Sequence, residues 1–347
     1  MIPREYRAVG GAVVLFLLIQ LGALALVQTF FDQGYQAVEN PEDPTNSLLY
    51  FGAILLATLG FLAAFKYDLD WIVRVVIVAT SGLLSWYVFS AVLPMIPAVL
   101  LGSAVAVALW VYPEWYVINT AGVLMGAGAA GLFGITFGIL PALLLLTVLA
   151  VYDAISVYKT EHMLDLADGV MDLRIPAILI IPLTLSYSLL DETNDDENPE
   201  METVDDATEN TDESNDETEA ENADKSDTEA EAENEDEGDT DADEGGSRDV
   251  FFIGLGDAVI PGVLIASAAF FSPAQQFAVP VVELNLPALL ALVGTMVGLL
   301  VLMRMVMKGR AHAGLPLLNG GAIGGYLLGS LLVGIPLLEA VGLAGLF

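Results

Sequence analysis

No cysteine occurs in the 347 residues, and only two histidines do, His162 and His312. A disulfide framework, a thiolate nucleophile and a cysteine-based metal site are thereby excluded, and a histidine-ligated metal has almost no donors. Neither H-E-x-x-H nor G-x-S-x-G is present, so the zinc-protease and serine-hydrolase routes lack their parts. Basic residues are also scarce, eleven Lys and Arg against 45 Asp and Glu, for a formal charge of −34.

That charge is concentrated in one place. Residues 191–249 hold 29 of the acids and only two bases, Lys225 and Arg248; elsewhere 16 acids face nine bases. The chain is therefore two materials, an apolar body that makes it 55% hydrophobic and one acidic insert. The insert has almost no aliphatic or aromatic residues, so it cannot bury enough surface to offset its ordering entropy, and disorder is expected. Its bland reading is a solvated linker suited to a high-salt cytoplasm, which fits a halophilic archaeal source; the other reading is a cation- or partner-binding tail.

Nine apolar runs read as membrane spans, at about 9–30, 47–65, 71–93, 97–112, 115–134, 139–158, 251–271, 284–307 and 315–346, since a helix needs about 20 residues to cross roughly 30 Å of hydrocarbon. The first is read as an uncleaved span, because its apolar stretch runs past Ala23-Leu24-Ala25 with no polar region. With the N-terminus inside, all eleven basic residues fall in inside segments or at their membrane edges. The C-terminus then lies outside and the insert in the cytoplasm. A tenth crossing at 175–190 would break this pattern and carries Pro176 and Pro182, so it is expected as an extended or broken segment against the bundle. Before it, residues 159–174 have the spacing of an amphipathic helix on the inner face. The expected organisation is spans 1–6 in 1–158, an inner-face segment in 159–190, the acidic loop in 191–249 and spans 7–9 in 251–347.

Two acids interrupt the apolar runs. Asp257 stands seven residues into "FFIGLGDAVIPGVLIASAAFF", and Asp153 in the last turns of "FGILPALLLLTVLAVYDAISVY". An ionisable group in hydrocarbon costs at least about 2.5–3.5 kcal/mol, which makes each a functional candidate. On consecutive, oppositely directed spans both lie at roughly 8–9 Å depth from the inner edge. Two carboxyls at one depth suit a pair in which one keeps a proton and the other does not, as in aspartic proteases. Gly254 and Gly256, flanking Leu255 just before Asp257, permit close backbone approach or local unwinding.

Tyr152-Asp153 and Gly254-Leu255-Gly256-Asp257, on the sixth and seventh of nine spans, resemble the presenilin and signal peptide peptidase family of GxGD intramembrane aspartyl proteases. The archaeal presenilin-like members are the most similar. The resemblance extends through "YDAISVYKTEHMLDLADGVMDLRIPAILIIP" and covers the membrane body. It implies an all-α polytopic membrane protein of nine transmembrane helices, with Asp153 and Asp257 as catalytic residues and Tyr152, Gly254, Leu255 and Gly256 supporting them. The family's Pro-Ala-Leu mark is replaced by Pro316-Leu317-Leu318, which puts a bulkier group at Leu317.

The implied reaction is cleavage of a transmembrane helical protein that enters laterally, unwinds near the inner face and meets water between the two acids. Substrate contacts are expected at Pro316, Leu317 and Leu318 and along a strand at Ile178, Leu179 and Ile180. No metal, cofactor or nucleic acid is expected, and no obligatory accessory subunit; the partners are membrane substrates and the lipid bilayer. A cation- or proton-coupled transporter is the alternative that uses the same acids, although spans one to five hold no buried acid and no repeated half is evident. The ninth-run glycines 320, 321, 324, 325 and 329 read as close helix packing, and His162 and His312 as interfacial.

Overall fold

A computed structural model describes residues 4–159, 176–183, 187–189, 250–307 and 313–343. The expected amphipathic helix, the acidic insert, His162 and His312 lie outside the described residues. The elements in chain order are α1 (Arg4–Asp32), α2 (Thr45–Lys66), α3 (Asp70–Ser90), α4 (Met95–Val111), α5 (Trp115–Thr136), α6 (Ile139–Lys159), β1 (Ile178–Pro182), β2 (Val250–Gly254), α7 (Leu255–Phe271), α8 (Leu286–Val306), α9 (Leu315–Leu332) and α10 (Leu337–Ala340).

Among the described residues, seven helices are long and apolar enough to cross a membrane, rather than the nine expected. The other two candidates, α4 and α7, have 17 residues each, about 25 Å of helix against roughly 30 Å of hydrocarbon. The ninth run also divides. Its helix stops at Leu332, where the Ile335 N–H donates to the Ser330 carbonyl across Gly334 at φ +82°. This left-handed glycine cap ends the helix before Pro336.

The fold is not wholly helical. β1 and β2 pair antiparallel, with Ile178 opposite Gly254 and Pro182 opposite Val250. The seventh apolar run thus begins as a strand. Val250, Phe251, Phe252 and Ile253 are β-branched or aromatic residues, and the pairing satisfies backbone groups that hydrocarbon would leave bare. Of the segment 175–190, expected to be extended or broken, residues 178–182 form a strand whose partner lies inside the same chain.

Helix α5 is the central post. It packs against α1, α3, α7 and β1, and Gly122, Gly126, Gly128, Gly131 and Gly134 are all buried along it. A Cβ on Gly128 would lie 3.3 Å from the Leu84 carbonyl oxygen, so the bare backbone is what lets α3 come close. Helix α7 is buried at every position from Pro261 to Ala269, as a helix apolar all round should be. Helix α2 is peripheral, with Ser47 its only buried residue.

Helices α8 and α9 meet backbone to backbone. A Cβ on Gly321 would collide with the Gly294 carbonyl, one on Gly325 with the Leu290 carbonyl, and one on Gly329 would lie 2.6 Å from the Pro287 Cα. The expected glycine packing is thus correct for 321, 325 and 329. Gly320 and Gly324 have nothing within 4 Å and play no part in it.

Candidate active site

Asp153 comes from the last turns of α6 and is 5% exposed. Asp257 is half-buried in the first turn of α7, not seven residues into a helix, because β2 takes up the residues before it. The two meet at the start of α9. The Leu315 N–H donates to Asp153 Oδ2 at 3.1 Å. On the adjacent residue, a Cβ at Gly314 would lie 3.0 Å from Asp257 Oδ2 and 3.3 Å from its Cγ. Consecutive residues at one helix start therefore lie beside both carboxylates.

The local sequence explains this corner. The first N–H groups of a helix have no partner inside it, and Leu315 is the first residue of α9. Pro316, next in line, lacks an N–H, so it begins a helix without loss. Pro316 thus stands in the opening turn of the helix and leaves it unbroken. The starts of α7 and α9 both lie at the pair, and a helix N-terminus is a favourable place for negative charge. One turn further along α9, Asn319 Nδ2 donates to the Leu146 carbonyl at 3.0 Å and ties α9 to α6, the helix that bears Asp153.

The remaining candidates fall into three groups. Gly254 closes β2, and a Cβ on it would lie 3.7 Å from Asp257 Oδ2; Gly256 has open space beside it. Leu255 is buried in the core with Ile19 of α1 and Leu179 of β1, and its N–H donates to the Ala177 carbonyl at 2.8 Å. Tyr152 turns away from Asp153's partners: it is 42% exposed, and its ring meets Phe51 of α2 edge-on at 6.3 Å. Leu317 is half-buried and Leu318 fully buried, both beside the pair's corner but facing the apolar core.

Ile178 stands opposite Gly254, three residues before Asp257, with Leu179 and Ile180 following. The bond from Leu255 to Ala177 sets the ladder's phase: residues 177, 179 and 181 exchange bonds with β2, while 178, 180 and 182 face the opposite edge. At that edge Asn119 takes both backbone groups of Ile180. On the far side of β2, Phe252 and Gly254 are exposed, and no further strand pairs with β2 among the described residues.

Sequence reasoning missed Gly314, Leu315 and Asn119. A backbone N–H leaves no mark in the residue type of Leu315. Asn119 did leave one, as a lone amide in an apolar run.

Comparisons with known proteins bear on the family of the chain. Residues 13–335 match the model of the family described as signal-peptide peptidase, presenilin aspartyl protease. Two crystal structures of a presenilin family intramembrane aspartate protease resemble the fold at 28% identity. The one in space group C222 has a TM-score of 0.59, over 93% of this chain and 99% of that one. The one in space group P2 has a TM-score of 0.53, over 93% and 97%. No curated protein sequence matches. The chain belongs to the signal-peptide peptidase and presenilin family of intramembrane aspartyl proteases.

Proposed function

We propose that Asp153 and Asp257 are the catalytic carboxylates of this intramembrane aspartic endopeptidase. The observation that carries the reading is their meeting at Gly314 and Leu315. One carboxylate takes a proton from water as the water oxygen bonds to the scissile carbonyl carbon. The other, protonated, gives its proton to the carbonyl oxygen. Collapse of the tetrahedral intermediate breaks the C–N bond: the leaving nitrogen takes up the proton held by the base, and one hydroxyl of the intermediate returns its proton to the other carboxylate as the new carbonyl forms. Peptide hydrolysis is thereby complete without a metal or cofactor.

The substrate is a transmembrane helix that has locally unwound. An extended segment adds to the free edge of β2 at Phe252 and Gly254, where main-chain bonding gives affinity. In this reading Ile178, Leu179 and Ile180 are the strand behind β2 and support substrate through it. Gly256 leaves room for the chain beside Asp257. Pro316, Leu317 and Leu318 fix the opening turn of α9, and Tyr152 packs α6 on α2.

The seven long helices together with α4 and α7 make nine spans, with the N-terminus cytoplasmic and the C-terminus outside. Arg4, Lys66, Arg74 and Arg304, at helix ends on one side in this order of crossing, support that orientation. The charge of residues 191–249 supports a halophilic archaeal source, and the enzyme works without an accessory subunit. Family membership favours the protease over a transporter.

The test is cleavage of a single-span substrate in liposomes, at high and low salt, by wild type, Asp153→Ala and Asp257→Ala. Both variants should be inactive while folded, and a transition-state aspartyl inhibitor should block wild type. Cleavage surviving in either variant would sink the assignment.

A further inference from the structure

We propose that Asn119 is a positioning residue for the proteolytic reaction: its amide replaces a third strand on β1 and so sets where β2 and Asp257 stand. The proposal rests on the assignment of Asp257 to the dyad.

Asn119 lies one turn into α5 and is 7% exposed. Its Nδ2 donates to the Ile180 carbonyl at 2.6 Å, and its Oδ1 accepts the Ile180 N–H at 2.8 Å. An amide is the one side chain that offers a donor and an acceptor with the spacing of a neighbouring strand. Without it, the N–H and C=O of the buried Ile180 would lose both of these partners. The same end of α5 grips the chain beyond β1. Trp115 Nε1 donates to the Tyr187 carbonyl at 3.0 Å, and Glu114, 4% exposed, accepts from Ser188 Oγ at 2.8 Å and the Leu189 N–H at 3.2 Å.

The linkage to the site is short. Asn119 holds Ile180; β1 holds β2 in the register that pairs Ile178 with Gly254; and Asp257 follows three residues later. Closing β1's outer edge also leaves the β2 edge as the place where a strand can add. A one-residue slip of β1 on β2 would turn every side chain to the opposite face. Loosening Asn119 should therefore alter where substrate is cut as well as how fast.

The experiment uses full-length protein in liposomes with a single-span substrate. Active sites are titrated with a transition-state aspartyl inhibitor, and product termini are read by mass spectrometry. Asn119→Leu removes both bonds, and Asn119→Asp keeps only the acceptor. Ile180→Pro removes the N–H that meets Asn119 and leaves the β1–β2 ladder its bonds, because Ile180 faces away from β2. Per titrated site, Asn119→Leu should lower kcat about 10- to 100-fold, the cost of misplacing reacting groups by up to about 1 Å, and should add new product termini. Asn119→Asp should fall between it and wild type. Ile180→Pro, which keeps the bond to its own carbonyl, should also fall between, and the double variant should be no worse than Asn119→Leu.

Wild-type kcat per site with unchanged termini in Asn119→Leu would overturn the proposal, as would multiplicative effects in the double variant. A structural loss alone reduces the number of titratable sites and leaves kcat and termini as they were. If Asn119→Leu does not fold, Asn119→Asp and Ile180→Pro decide by the same readouts. Asp257→Ala runs beside them: cleavage there sinks the dyad, whereas an inactive Asp257→Ala beside a normal Asn119→Leu sinks only the positioning role.

Discussion

Alanine at Gly298 tests how helix packing sets the site. Gly298 of α8 is buried, and a Cβ there would sit 2.5 Å from the Leu317 carbonyl oxygen and 3.2 Å from the Leu318 Cα. Both are backbone atoms in the opening turn of α9 and cannot rotate away. Comfortable heavy-atom contacts begin at about 3.5 Å, so α9 must retreat by about 1 Å. The Leu315 N–H, two residues earlier in that turn, is 3.1 Å from Asp153 Oδ2, and such a retreat takes it past the ~3.2 Å reach of an N–H···O bond. Overpacking of this kind costs about 1–3 kcal/mol in stability, and a ~1 Å misplacement costs about 100-fold in rate. Gly320 and Gly324, with nothing within 4 Å, are the controls; alanine at either should be neutral or stabilising by up to ~1 kcal/mol. Tm from tryptophan fluorescence and kcat per inhibitor-titrated site read both effects. A folded Gly298→Ala with wild-type kcat would refute the reasoning, as would equal damage from Gly320→Ala.

Three further outcomes follow from other parts of the fold. In the α1–α2 loop, burial holds the Glu42 carboxyl above its ordinary value, partly offset by the Ile139 N–H at the start of α6. A raised carboxyl pKa means stability is greatest with the group protonated and is lost as pH rises through the folded value. Glu42→Gln should therefore raise Tm relative to wild type at pH 8 and leave it equal at pH 4; the reverse order would refute this. Asn285, fully buried, caps α8 by accepting the Ala288 N–H at 2.9 Å and donates to the Ala268 carbonyl at 2.9 Å. Asn285→Ala should cost about 2–4 kcal/mol, a cap plus a buried carbonyl left unpaired, measured by denaturation in detergent, with Asn285→Asp in between. Alanine at Gly256 meets nothing in the free enzyme, so its Tm should match wild type while KM for the membrane substrate rises; a normal KM would place the substrate elsewhere.

What could be read from residues alone was what the membrane makes expensive. Asp153 and Asp257 stood out because a carboxyl in an apolar run is rare; the helical rise used to match their depths does not apply to residues 250–254, which form a strand. The glycines at 321, 325 and 329 share one helix face because they are four apart, whereas 320 and 324 lie off that face; treating all five alike overlooked this spacing. The strand at 250–254 was hidden because a short apolar run reads equally as buried helix or strand. The choice was made by pairing with 178–182, which lies more than sixty residues away. The end of α9 was legible and overlooked: Gly334, Ile335 and Pro336 spell a left-handed cap followed by a residue that cannot continue a helix.

The deeper limit is that the contacts fixing the acids are made by backbone. Leu315 serves through its N–H, Gly314 through its missing side chain, and Ile180 through both peptide groups. Residue type carries little information about such roles, since any helix start offers free N–H groups and any strand an edge. What residue type can reveal is the complement of an edge, a lone donor-and-acceptor side chain in an apolar span. Asn119 and Asn319 are both of this kind, and each bonds a carbonyl on a segment that bears on the dyad: Asn119 on β1, behind β2 and Asp257, and Asn319 on α6, which carries Asp153. In a membrane chain, an isolated amide is therefore best asked which distant backbone it holds, before it is set aside as a polar residue tolerated by its neighbours.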